Sequence, residues 1–183
     1  MRSVLYILFF IFPALTFAQQ SPFNKSYEIS GVIDAFGNTI YSNGSYFTCG
    51  IISYGSTGKY YLLELDDNGD TIRAKIHGSS SEKYLLGWQS LLKDDSSFIF
   101  ACTIQDTSGN HPFVAKLDYN FDTIWTSRSW SLPNGYFHSV VLDGNNYVYG
   151  GTIENGISPN LFDLFLVKSD NNGIMLWQKT LIG

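Results

Sequence analysis

Asp66, Asn68 and Asp70 place three side-chain oxygens at alternate positions of a turn-rich stretch, as the opening of a calcium loop does. A helix-flanked calcium loop also needs glycine at its sixth position and an acid at its twelfth. Those positions hold Thr71 and His77, so the stretch is expected to be a hairpin turn, with Asp and Asn bonding their own backbone. The three histidines, His77, His111 and His138, lie far apart and show no zinc spacing. No Gly-x-Ser-x-Gly nucleophile motif occurs. The acids fall mostly in turns: Asp66, Asp67, Asp94, Asp95 and Asp106. We assign no catalytic residue, no cofactor-binding residue and no metal ligand, and expect no cofactor.

The elements that position these residues begin after a leader. Arg2, the apolar run Val4 to Phe12, Pro13 and the small-residue pattern Thr16-Phe17-Ala18 read as a secretory signal peptide over residues 1–18. No later run is apolar enough to span a bilayer, so we expect no membrane span after cleavage and a secreted or cell-surface location. Removing Arg2 from the 11 basic side chains leaves ten against 16 acidic ones. That balance argues against nucleic acid, whose phosphates require a basic stripe. With 14 Phe, 12 Tyr and 17 Gly but only 2 Met, the composition favours strands joined by tight turns.

One pattern recurs three times. Tyr61 to Arg73, Phe113 to Trp125 and Phe165 to Trp177 share an apolar strand, an aspartate and a turn. The anchors are Asp66, Asp118 and Asp170, at two equal intervals of 52 residues. Upstream, Tyr46 to Ile51 matches Phe98 to Thr103 and Tyr147 to Thr152, with three extra residues in the last copy between Asn155 and Asp163. The second unit divides into four strands: Tyr84 to Leu92, Ser97 to Ile104, Pro112 to Asp118 and Thr123 to Trp130. Tyr60 and Leu62 alternate with Tyr61, Leu63 and Leu65, so both faces of the sheet are apolar and both must be covered.

Four short strands repeating at this period predict an all-β fold, a partial β-propeller of about three four-stranded blades over residues 19–183. A β-solenoid is the runner-up. Cys49 and Cys102 occupy the same strand of adjacent units, one position out of phase. Side chains alternate along a strand, so both thiols can enter one seam between blades, as free thiols or, near the axis, as a disulfide.

The phrase running from Val167-Lys168-Ser169-Asp170 through Trp177 to Lys179-Thr180 resembles a repeat of large secreted proteins of Bacteroidetes-type bacteria, cargo of the type IX secretion route. It is also similar to the repeat of quinoprotein-type propellers. That resemblance implies that Trp125 and Trp177 are plates packed between blades, and that Arg73, in the same place, marks a more exposed edge. Gly150-Gly151 is similar to the diglycine of kelch repeats.

The expected role is a secreted binding or structural module, with extracellular protein or glycan as partner and no nucleic acid. The alternative is a fragment of a propeller enzyme, quinoprotein-like or polysaccharide-degrading. Trp130 and Tyr136, beside Pro133-Asn134-Gly135, offer a sugar-stacking platform or inter-blade packing. Asn24 and Asn43 head glycosylation-type triplets that we read as ordinary loop asparagines. Three blades fall short of the usual four to eight. We therefore expect a fragment, or a ring closed by self-association through open blade edges.

Overall fold

The computed structural model describes Tyr27 and residues 33–54, 57–78, 82–85, 89–128, 134–154 and 162–181. Residues 1–18, expected to be a leader, and Asn24 and Trp130 lie outside these residues.

The fold is all-β, an arc of three blades, each an antiparallel sheet of consecutive strands. Blade 1 runs β1 (Ile33–Ser42), β2 (Ser45–Tyr54), β3 (Thr57–Leu65) and β4 (Thr71–His77). Blade 2 comprises β5 (Lys83–Tyr84), β6 (Ser90–Lys93), β7 (Phe98–Asp106), β8 (Gly109–Leu117) and β9 (Thr123–Ser127). Blade 3 comprises β10 (Gly135–Asp143), β11 (Asn146–Glu154), β12 (Phe162–Ser169) and β13 (Met175–Leu181).

The expected strand over Tyr84 to Leu92 is two pieces, β5 and β6, both paired to β7. Together they fill the edge place held by β1 and β10 in the other blades. The two-residue turns follow their chemistry: Asn43 and Gly44 both carry positive φ, as a tight hairpin requires.

The repeat register is preserved in space. Tyr46 pairs with Leu65, Phe98 with Leu117 and Tyr147 with Ser169. The three-residue insertion therefore falls between β11 and β12, where a loop tolerates added length.

Seams between blades form the core, as two-sided apolar strands require. The first seam packs Cys49, Ile51, Tyr60 and Leu62 of blade 1 against Phe98, Phe100, Cys102 and Phe113 of blade 2. Tyr60 stacks on Phe100 at 4.6 Å, and on its other neighbour His77 at 4.9 Å. The second seam packs Ile99, Ala101 and Val114 against Phe137, Tyr149 and Phe165. The parity argument for the cysteines holds: both are buried in the first seam, as free thiols.

The tryptophan position is also a seam contact. Trp125 lies over the β12–β13 turn, its Nε1–H donating to the Asn171 carbonyl at 3.2 Å. Gly173 there has φ +78, and an added Cβ would stand 2.9 Å from the indole, so this turn takes only glycine. In the first seam the pair is exchanged. Arg73 stands in the tryptophan's place and Phe121 in the glycine's, with the guanidinium 4.3 Å above the ring centre. Phe121 accepts φ +61 and is buried. A left-handed non-glycine residue costs roughly 1–2 kcal/mol, which ring burial of about 1.5–3 kcal/mol offsets. Arg73 is therefore no exposed edge: it closes the seam and pairs with Glu64 at 2.5 Å.

Candidate functional site

The residues first suspected of chemistry are in structural use. Asp66 Oδ1 accepts the backbone N–H groups of Asn68 and Asp70 at 2.9 and 2.8 Å. Asp118 and Asp170 repeat this bonding at their own turns. The oxygen that would face a cation is committed to the turn. Among the described residues, no group of three or more His, Cys, Asp and Glu is placed to hold a metal.

The histidines sit in three separate places. Burial, and then the nearby Lys75 charge, lower the pKa of His77; burial alone lowers that of His138. His138 Nε2 lies 3.0 Å from Thr152 Oγ1. His111 Nε2 lies 2.8 Å from Ser108 Oγ and 3.2 Å from Asp106 Oδ1. One ring nitrogen thus meets both partners on an open hairpin. In a Ser-His-acid triad the carboxylate holds the opposite nitrogen, so the hairpin lacks that relay. Tyr136 accepts from Asn110 Nδ2 and meets Phe162 edge-on at 5.9 Å, so its ring is engaged in packing.

A different group converges at the second seam. The β6–β7 turn contributes Asp94, β8 contributes Lys116, β11 contributes Tyr147, and the β12–β13 turn contributes Asn171. They line a cleft of about 180 Å³, with Asp95, Ser96 and Asn145 at its rim. Tyr147 Oη lies 2.7 Å from Asp94 Oδ2 and 2.9 Å from Asn171 Oδ1. Lys116 Nζ donates to Tyr147 Oη at 3.0 Å and to Asn171 Oδ1, and stands 3.9 Å from Asp94 Oδ2.

Asp94 is set by its own turn. The N–H groups of Ser96 and Ser97 donate to Oδ1, and the Ser97 hydroxyl donates to Oδ2. Partial burial works against the carboxylate, but the hydrogen bonds from Tyr147, Ser97 and Ser96 outweigh it and hold this carboxyl below its usual range. Burial first, and then the Asp94 hydrogen bond and charge, push the Tyr147 phenol up. The cleft therefore presents a fixed carboxylate and, in Tyr147, a neutral hydroxyl at neutral pH.

The repeat supplies an internal control. Glu64, Phe98 and Tyr119 occupy, in the first seam, the places of Lys116, Tyr147 and Asn171. There the space is plugged by Phe47, Phe98 and Phe121, with ring centres 5.0 to 6.5 Å apart. The polar cleft thus belongs to the second seam and is not shared by the first. Sequence reading missed it because Lys116 looks like an ordinary repeat residue, and because Asp94 meets Tyr147 only when blades stack. The available signal was the pairing of Lys116 with Tyr147 across one seam, where the other seam sets Glu64 against Phe98.

No protein-family model matches the chain, and no curated protein matches it. Among solved structures, a mutant of the α-L-arabinanase of Cellvibrio cellulosa is similar, with a TM-score of 0.45 and 12% identity. The match covers 79% of this chain and 58% of that one, so the chain spans less than two thirds of the enzyme's length. The blade assignment rests on the strand pairing described above.

Proposed function

We propose that this chain is a secreted or cell-surface repeat module that binds an extracellular glycan at the cleft between blades 2 and 3. The observation that carries the reading is the gathering of Asp94, Lys116, Tyr147 and Asn171 around open space, at a seam whose counterpart between blades 1 and 2 is packed with aromatic rings. A carboxylate, an ammonium, a phenol and an amide offer both acceptors and donors to vicinal hydroxyls. The opposed Lys116 and Asp94 charges suit a neutral polyol better than a strongly charged ligand. The leader-like residues 1–18 and the resemblance to Bacteroidetes-type secreted repeats support the extracellular setting.

Isothermal titration of the purified chain with neutral mono- and oligosaccharides tests the reading. Saturable binding that is weakened about tenfold or more in Asp94→Asn and Lys116→Met supports it; a tenfold loss corresponds to about 1.4 kcal/mol. Binding left intact in both variants, or no binding to any sugar, overturns it. Release of cleaved sugar during the titration would favour the propeller-enzyme alternative.

A further inference from the structure

The cleft of about 180 Å³ is smaller than the roughly 300–1,000 Å³ of pockets that enclose a whole drug-sized ligand. A glycan seated there leaves the rest of its chain outside, against whatever borders the rim. The rim residue Asp95 belongs to the β6–β7 turn, and that turn has two neighbours. On one side Asp94 meets Tyr147 of blade 3. On another stands Tyr119, in the β8–β9 turn of blade 2, whose hydroxyl donates to the Asp95 carbonyl at 3.3 Å.

The β8–β9 turn does not itself require this ring. Its bonding is done by Asp118, whose Oδ1 accepts the N–H groups of Asn120 and Asp122. The other two repeats carry Asp67 and Asn171 at the same place. Tyr119 meets Phe98 edge-on at 5.9 Å and is still 39% exposed. Lys93 Nζ lies 5.2 Å from its ring centre and 3.5 Å from the Asp94 carbonyl oxygen. Ring and ammonium are thus both tied to the backbone of the turn that carries the cleft's carboxylate. That turn is itself fixed, by the side-chain bonds of Asp94 and by its N–H donating to the Ser97 carbonyl at 3.0 Å.

A sugar ring carries hydroxyls around its belt and C–H groups on its faces. The cleft's polar groups answer the hydroxyls, and Leu142, 47% exposed, is its aliphatic wall. Tyr119 offers a plate to the C–H face of a further unit at low entropic cost, since a tyrosine has only two torsions to order. Lys93 adds donors beside that plate.

We propose that Tyr119, with Lys93 beside it, forms a second sugar subsite continuous with the cleft across Asp95, so that the ligand is a neutral oligosaccharide of at least two units. This rests on the glycan reading of the cleft. The test is isothermal titration with glucose, mannose and xylose, each compared with its own linear di-, tri- and tetrasaccharides. For the sugar that binds, affinity is expected to rise about tenfold from the monosaccharide to its oligosaccharides, a gain of about 1.4 kcal/mol. Tyr119→Asn, which installs the residue of the third repeat's turn, should abolish that rise and leave monosaccharide affinity unchanged, while Tyr119→Phe keeps it. Monosaccharide binding by the variant also reports that it has folded. Oligosaccharides that bind no tighter than the monosaccharide, or that bind Tyr119→Asn as tightly as wild type, overturn the subsite and leave the cleft standing. An equal loss for mono- and oligosaccharides in Tyr119→Asn also overturns it, because the ring would then act only by holding the turn. If no sugar binds, or if binding ignores Asp94→Asn, the reading of the cleft itself falls and the subsite falls with it.

Discussion

At the residue scale, the Asp94–Lys116–Tyr147–Asn171 group has a definite energetic signature. Lys116 is almost fully buried, so Lys116→Ala leaves Asp94 and Asn171 without their cation. Urea unfolding is expected to show a loss of roughly 3 kcal/mol, as for breaking a buried pair from one side. Asp94 is a carboxyl whose folded pKa is depressed. Its contribution is complete above the unfolded value of about 3.9 and is lost as pH falls through the folded value. Asp94→Asn should therefore flatten the acid limb of stability below about pH 4. Phe121→Gly separates two effects in the first seam. It removes the left-handed strain but empties the space between Phe47 and Phe98, so a net loss of about 2–4 kcal/mol is expected. A variant as stable as wild type would show that the ring adds nothing beyond its strain.

At the element scale, the Asp-x-x-x-x turns act as staples between the two outer strands of each blade. Asp118→Ala frees the N–H groups of Asn120 and Asp122, and thermal unfolding should register a loss of about 1–2 kcal/mol. These turns were fully legible in the sequence, because a local hydrogen bond depends only on neighbours. So were the 52-residue period, the two-faced β3 strand and the cysteine parity, which all follow from strand alternation. The break between β5 and β6 was not legible, since their apolar residues read as one run. Nor was the role of Arg73. Its partner Phe121 lies 48 positions away, and a cation beside an aromatic turn residue has no local pattern. The cleft was hidden for the same reason: each of its members looks ordinary within its own blade.

At the scale of the molecule, two half-buried histidines, His77 in the first seam and His138 beside Thr152 on blade 3, give the fold a pH response. His77 and His138 are held below their ordinary pKa, chiefly by burial. Folding opposes their protonation, so their contribution is intact above about pH 6.5 and falls as the unfolded chain gains protons below it. The melting temperature should decline from pH 7 to pH 5, and His77→Phe should reduce that decline; a flat profile would contradict the assignment. Burial pushes the Cys49 thiol up to about 12 and raises Cys102 as well. Neither should react with a thiol reagent at neutral pH until the blades separate, so labelling kinetics will report seam opening. The exchange of Arg73 and Phe121 for Trp125 and Gly173 has one more consequence, and it concerns genes. A duplication placing a second copy of blade 2 directly after the first would set a tryptophan against a phenylalanine turn, where only glycine leaves room. A deletion joining blade 1 to blade 3 would leave an arginine above an empty glycine. Each unit carries the address of its neighbour, so this array cannot be shuffled by simple recombination without a compensating change at the turn.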